Sequence, residues 1–261
     1  MTDCLKARMR GGSVIIGCWI NLFDTLAAEI VGRAGYDCVM IDLEHGPGDV
    51  MDAISVMQVL QADCRPLVRV PANEAPWIKR VLDAGAEGVM IPAVNSRDEA
   101  RAAAAACHYA PRGSRGMAAV IVRAADFGAS WQDYVRRIEE EILVICQVES
   151  GDAVANIAEI VEVEDVDLLF IGPFDLSASM GYLGEPDHPD VRAAIARVET
   201  ATKRAGKFLG GIATPERPAD ELVAAGYDLI LQDSDLALLR DSARANVARL
   251  RETVRNSRGA G

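Results

Sequence analysis

The chain is short of several things, and each shortage removes a class of function. Only three of its 261 residues are histidine, namely His45, His108 and His188. A zinc enzyme wants several histidines or cysteines at ligand spacing. The six cysteines (Cys4, Cys18, Cys38, Cys64, Cys107 and Cys146) form no CxxC pair. Cys18, Cys38 and Cys146 lie in apolar, strand-like runs, where they read as buried reduced thiols. Positive charge is scarce too. The net charge is −12, which argues against nucleic acid and against anionic membranes as partners. No apolar run exceeds strand length, so no segment is expected to span a bilayer. The opening MTDCLKARMRGGS has no signal-peptide core, and the expected location is the cytoplasm. There is no P-loop, no Gly-x-Ser-x-Gly elbow and no dinucleotide fingerprint.

What is present alternates. Short β-branched runs are expected as strands near Val14–Ile20, Cys38–Leu43, Pro66–Val70, Gly88–Pro92, Ile142–Val148, Asp167–Ile171, Lys207–Gly211 and Asp228–Leu231. Helical patterns fill Asp24–Ala34, Gly48–Gln61, Glu74–Ala84, Ser96–Cys107, Ser150–Val161, Asp190–Ala205, Pro215–Ala225 and Leu236–Val254. Eight such units in about 250 residues predict an α/β protein with a (β/α)8 TIM barrel, a single domain over 1–261. A doubly wound open sheet is the alternative, but its Gly-rich fingerprint is missing after the first strand, where the chain reads WINLFD. Gly35, Gly85 and Gly226 follow helical patterns as helix stops. Gly210-Gly211, within a strand, marks close packing. Two long connections, Tyr109–Ser130 and Gly172–Pro189, are expected to reach the C-terminal mouth of the barrel, where barrel enzymes keep their chemistry.

Polar residues crowd the strand ends. The second strand ends in Asp42-Leu43-Glu44-His45, the third carries Arg69, the fifth ends in Gln147-Val148-Glu149, the sixth in Gly172-Pro173-Phe174-Asp175, and the first contributes Trp19. Glu149 and Asp175 form a natural oxygen pair for a hard divalent cation; either carboxylate serves equally well as a helix cap. Arg69 in mid-strand must be paired or functional, and a structural ion pair with Asp42 or Glu44 would satisfy it. His45 suits general acid/base work, with Asp42 and Glu44 near enough to orient it. A Schiff-base aldolase needs a lysine in the mouth. The four lysines are Lys6 in the N-terminal tail, Lys79 and Lys203 on helical patterns, and Lys207 at the start of a strand, the wrong end.

These stretches, notably IDLEHGP, PLVRVP, CQVES and DLLFIGPFDLSASMGYLGEPDHPDV, resemble the class II pyruvate aldolases of the 4-hydroxy-2-oxoheptanedioate and 2-dehydro-3-deoxyglucarate type. The resemblance runs from about residue 15 to 255. It implies a barrel of the phosphoenolpyruvate/pyruvate-binding kind, and reversible cleavage of a 4-hydroxy-2-oxo acid to pyruvate and an aldehyde through a metal-bound pyruvate enolate. It implies Glu149 and Asp175 as ligands of Mg²⁺, Mn²⁺ or Co²⁺. Arg69 would hold the pyruvate oxygen, His45 would move the proton, and Asp42 would orient His45. Trp19, Gln147 and the Gly172 and Phe174 amides would line the pyruvate pocket, and Asp83 would be lent to a neighbouring subunit's site. A homohexamer, with the C-terminal helix on a neighbour, is the implied assembly. The sequence departs from relatives at Phe174, often alanine, and at Asp233, usually glycine, a carboxylate that would repel anionic acceptors.

Two other functions fit the same reading. One is a hydroxyacyl-CoA lyase or oxaloacetate decarboxylase on this barrel, with Arg112, Arg115 and Arg123 in mouth loops as a groove for the nucleotide. The other is a catalytically dead binding barrel.

Overall fold

The computed structural model describes residues 4–259. Eight strands close into a parallel barrel in chain order: β1 (Ile15–Ile20), β2 (Cys38–Asp42), β3 (Arg65–Arg69), β4 (Gly88–Ile91), β5 (Leu143–Val148), β6 (Leu168–Ile171), β7 (Phe208–Ile212) and β8 (Leu229–Ser234). Each expected strand is there, shifted by one to three residues at its ends. Twelve helices accompany them: α1 (Leu5–Arg10), α2 (Thr25–Arg33), α3 (Val50–Val59), α4 (Ala75–Ala84), α5 (Arg97–Cys107), α6 (Trp131–Glu141), α7 (Gly151–Ala155), α8 (Ile157–Ile160), α9 (Pro173–Ser179), α10 (Pro189–Arg204), α11 (Ala219–Ala224) and α12 (Asp235–Gly259).

The period of two along each strand sorts side chains into two cores. Ile15, Met40, Leu67, Met90, Ile145, Phe170 and Leu231 fill the barrel interior. Their outward neighbours, such as Ile41, Val68, Val89 and Val144, meet the helices. Gly210 faces inward; a Cβ there would lie 2.8 Å from the Phe170 ring, so the glycine makes room for the barrel's largest buried side chain. Glycines at 35, 85 and 226 take positive φ (101°, 112° and 78°), as expected of helix stops.

Four features depart from the expectation. The N-terminal tail is helical: α1 closes the lower end of the barrel with Leu5 and Met9. There Lys6 pairs with Asp167 at 2.8 Å and donates to Ile142 O at 3.0 Å. A whole helix, α6, precedes β5; its Tyr134 and Ile138, four apart, are buried. The pattern over 150–161 breaks at Asn156 into α7 and α8, where the Asn156 side chain donates to Asn95 O instead. Finally, the connection 109–130 follows a helix, not a strand, so it starts at the end of the barrel opposite the mouth. There Arg112 pairs with Asp165, Arg115 with Asp83, and Arg123 donates to Ala84 O. None of these arginines reaches the mouth, and the groove expected of a CoA lyase is not there.

All six cysteines are free. Burial first, and then the charges of Asp235 and Asp233, push the Cys18 thiol up to about 12. No helix among the described residues is long and apolar enough to cross a membrane.

Candidate active site at the barrel mouth

The top inward layer is where the barrel interior turns polar. Asp42 and Arg69 are directly paired in register across β2 and β3, so their side chains emerge on the same side and meet. Arg69 Nε and Nη2 donate to Asp42 Oδ1 and Oδ2 at 2.9 and 2.7 Å, a bidentate fork. Its third nitrogen, Nη1, lies 2.9 Å from Glu44 Oε2. The guanidinium stacks 4.6 Å over the Trp19 ring, which packs edge-on against Phe170. Arg69 is 6 % exposed and Asp42 2 %.

Asp42 is the hub of this layer. Beyond Arg69, its Oδ2 accepts from Asn21 Nδ2 at 2.9 Å, and its Oδ1 from the backbone N–H of Glu44 and His45 at 3.1 and 3.3 Å. Burial alone would raise its carboxyl. The hydrogen bonds and charge of Arg69, with the two backbone donors, outweigh burial and hold it below the ordinary value. Asp42 was expected to orient the His45 ring; it instead fixes Arg69 and the His45 backbone. The reason is register: Arg69 stands opposite Asp42, whereas His45 is three residues along a turn and exposed at the rim.

The acidic side of the mouth is built from β5 and the start of α9. Glu149 Oε1 accepts from Ala93 N at 2.7 Å, and its Oε2 from Gln147 Nε2. Ala93 adopts φ 51°, left-handed backbone that is costly for a residue with a Cβ. That turn aims its N–H at the carboxylate. Gly172 completes the wall: a Cβ there would sit 3.2 Å from Glu149 Oε2 and 3.0 Å from Gln147 Nε2. Burial, then the charges of Glu44 and Asp175, push the Glu149 carboxyl up to about 7, against the opposing Ala93 hydrogen bond and Arg69 charge. Glu44 is likewise raised, by burial first and by Asp42 and Asp175. The charges of Arg69 and His45 oppose this without outweighing burial.

The carboxylates here are the half-buried Glu44 and Glu149 and the exposed Asp175, close enough that the charges of Glu44 and Asp175 both raise Glu149. Gln147 Oε1 is buried without a hydrogen-bond partner beside it. Such a cluster of hard oxygen donors suits a hard divalent cation. Among the described residues no group of three or more His, Cys, Asp or Glu side chains could hold a metal ion. Glu149 and Asp175 are the carboxylates that would hold such a cation.

One substrate-binding expectation changes. The Gly172 N–H donates to Val148 O at 3.2 Å, completing the β5–β6 ladder, and is committed there. The Phe174 N–H lies ahead of the first intrahelical donor, Leu176 N to Gly172 O, and so belongs to the open first turn of α9; its side chain is 52 % exposed. Asp83 lies at the C-terminal end of α4, the far end from this chain's mouth, bonded to Arg115 Nη2 at 2.7 Å. Asp233 (φ 58°) sits in a bulge opposite β1, and its charge is felt by Cys18 and Tyr36 on the outer side of that strand. His108 pairs with Glu139, and His188 caps α10 and stacks on Tyr182. No lysine among the described residues reaches the mouth: Lys6 and Lys207 are at the lower end, Lys207 donating to Val163 O at 2.8 Å, and Lys79 and Lys203 are on α4 and α10. The sequence marked Glu44 as a partner of Arg69 or an orienter of His45, and did not mark Asn21 or Asp235. Glu44, two residues beyond Asp42 in the same run, carried a signal; Asn21 and Asp235 carried none.

A parallel barrel with a carboxylate–arginine layer at the C-terminal ends of its strands has the arrangement of a barrel enzyme, whose chemistry sits at that face. The chain belongs to the HpcH/HpaI aldolase/citrate lyase family, whose model matches residues 15–249, and it is a carbon–carbon lyase. It is 38 % identical over 239 residues to the hydroxypyruvate/pyruvate aldolase of Chromohalobacter salexigens, covering 91 % of this chain and 94 % of that one. It is 36 % identical over 250 residues to the 4-hydroxy-2-oxo-heptane-1,7-dioate aldolase of Shigella sonnei, covering 95 % of each. A HpcH/HpaI aldolase/citrate lyase family protein of Burkholderia cenocepacia has a similar structure, with TM-score 0.90 and 40 % identity over 96 % of this chain and all of that one.

Proposed function

We propose that this aldolase cleaves a 4-hydroxy-2-oxo acid reversibly to pyruvate and an aldehyde, and that it depends on a divalent cation at Glu149 and Asp175. One observation carries the reading: the buried Arg69 fork and the half-buried Glu149 carboxylate, with Asp175 near it, share one mouth. When bound, Mg²⁺, Mn²⁺ or Co²⁺ would act as a Lewis acid on the 2-oxo group. Arg69 would donate to the oxygen on which negative charge develops, where a preformed donor acts most strongly. Asp42 keeps the Arg69 fork in its plane. His45, at the solvent rim, would carry the proton between the 4-hydroxyl and water. Trp19 and Gln147 would floor the pyruvate pocket, with the Phe174 N–H toward the carboxylate. The exposed Phe174 ring would narrow the entrance for the aldehyde. Asp83 would act only in a neighbour's site, within a homohexamer; exposed Leu239, Val247, Leu250 and Val254 along α12 support an assembly in which that helix packs on another subunit. Six unpaired cysteines support a cytoplasmic location.

The test is pyruvate release from a panel of 4-hydroxy-2-oxo acids that includes dicarboxylic and neutral members, with added Mg²⁺ or with chelator. Release that needs the cation supports the proposal. No release from any member, or equal release in chelator, refutes it. An acyl-CoA ester of a hydroxy acid and oxaloacetate belong in the same panel, and turnover of these alone would shift the assignment to the lyase or decarboxylase alternative.

A further inference from the structure

We propose that Asn21 is a positioning residue for Arg69, held in place by Asp235 at the start of the C-terminal helix. The proposal rests on the role given to Arg69 above.

The geometry is a relay of four residues. Asp235, 4 % exposed, is the first residue of α12. Its Oδ1 accepts from Asn21 N at 2.9 Å and its Oδ2 from Leu22 N at 3.1 Å. Its Oδ1 also accepts from Leu236 N at 2.8 Å, which ties the carboxylate to its own helix. The loop after β1 is therefore clamped by two consecutive amides. With its backbone held, Asn21 aims Nδ2 at Asp42 Oδ2, 2.9 Å away. That oxygen is the one that also takes Arg69 Nη2 at 2.7 Å.

The chemistry of the acceptor explains why this bond matters. Oδ1 of Asp42 has three donors: Arg69 Nε and the Glu44 and His45 amides. Oδ2 has two, Arg69 Nη2 and Asn21. A carboxylate turns about its Cβ–Cγ bond as one plane. The two loop amides hold that plane at Oδ1, and Asn21 supplies the donor on Oδ2 that does not come from the arginine being oriented. Without Asn21, Oδ2 keeps only Arg69 Nη2, and that arginine also has Glu44 as a competing partner at 2.9 Å. Misplacement of a group at the reacting centre by about 1 Å costs about 10²-fold in rate.

The test compares Asn21→Ala, Asn21→Asp, Asp235→Asn and Arg69→Lys in the intact enzyme. Each is assayed for exchange of pyruvate methyl protons in heavy water, for kcat and KM of pyruvate release, and for thermal midpoint. The expected result for Asn21→Ala is a fall of about tenfold to a hundredfold in exchange and kcat, with KM changed less and a folded protein. Asn21→Asp, the same size but turning a donor into a second carboxylate facing Asp42, should fall further. Asp235→Asn should fall in the same direction. A side chain that merely fills space would leave Asn21→Asp near wild type; that outcome overturns the proposal. Should Asn21→Asp not fold, Asn21→Ala decides alone, and wild-type kcat there overturns it. Loss in Arg69→Lys with full activity in both Asn21 variants rejects this inference only. Full activity in Arg69→Lys rejects the reading of Arg69 on which it stands.

Discussion

Replacing Arg69 by lysine separates its two jobs. Alanine is the wrong variant: it would leave Asp42, 2 % exposed, as an unpaired buried charge, and breaking a buried pair in that way costs about 3–5 kcal/mol. Lysine keeps the charge and loses the fork. One ammonium can replace one of the two bonds to Asp42 or the contact to Glu44, not all three. One charge-assisted hydrogen bond lost corresponds to about 1.5–3 kcal/mol. At about 2–4 °C for each kcal/mol in a domain near this size, the midpoint should drop by about 3–12 °C, and the protein should still fold at 25 °C. The stability difference should also depend on pH. Asp42 is held below its ordinary value of 3.8, so its contribution is full above that pH and is lost as pH falls through the lower folded-state value. The gap between wild type and variant should therefore be widest near neutrality and close in acid. Activity should suffer more: loss of a preformed donor to developing negative charge costs about 10²–10³ in rate. The assay is exchange of pyruvate methyl protons in heavy water, followed by NMR. Exchange near the wild-type rate in a folded variant would refute the role of Arg69, whatever the melting data show.

Other expectations follow from the same site. His45→Ala should lose about 10²–10⁴ of the cleavage rate with an unchanged melting midpoint, because the ring is exposed at the rim and the backbone N–H bonded to Asp42 survives the substitution; a loss under about tenfold would remove His45 as the general base. Chelator should stop turnover reversibly, while Glu149→Ala and Asp175→Ala should stop it in a way added Mg²⁺ does not rescue; calorimetry of Mg²⁺ with pyruvate present checks that binding, not folding, is lost. Borohydride with pyruvate should leave the protein mass unchanged, since no lysine among the described residues reaches the mouth, and a mass gain matching a pyruvyl adduct would falsify the metal-dependent reading. Light scattering at micromolar concentration should show an oligomer; a monomer would remove any role of Asp83 in a neighbouring site.

The strand ends were readable because a strand has a short period. Two-residue alternation in PLVRVP puts Arg69 on the face of Leu67, and in LVICQV it puts Gln147 on the face of Ile145. Sorting inward from outward needs only the local sequence. Helix α6 was also readable, with apolar residues at 131, 134, 135 and 138; an even count of eight units left it without a slot. The connection 109–130 begins where the expected helix 96–107 ends and leads into α6, so its arginines fall at the lower end of the barrel.

Partner choice has no such local sign. Asp42 stands three residues from His45 and 27 from Arg69, and nearness in sequence favours the histidine. The register of β2 against β3 favours the arginine, and the arginine takes the carboxylate. The same reason hides Asn21 and Asp235, which are 214 residues apart. A closed barrel must join its last strand to its first, so β8 and β1 are neighbours, and a separation of 214 residues becomes a hydrogen bond. The turn after β1 and the helix after β8 therefore meet at the mouth by topology alone. Any polar pair formed there is invisible to a reading that runs along the chain, yet it stands one bond from Asp42. In this barrel the seam between the ends is thus the place where residues that position the site escape the sequence, and Asn21 and Asp235 occupy that seam.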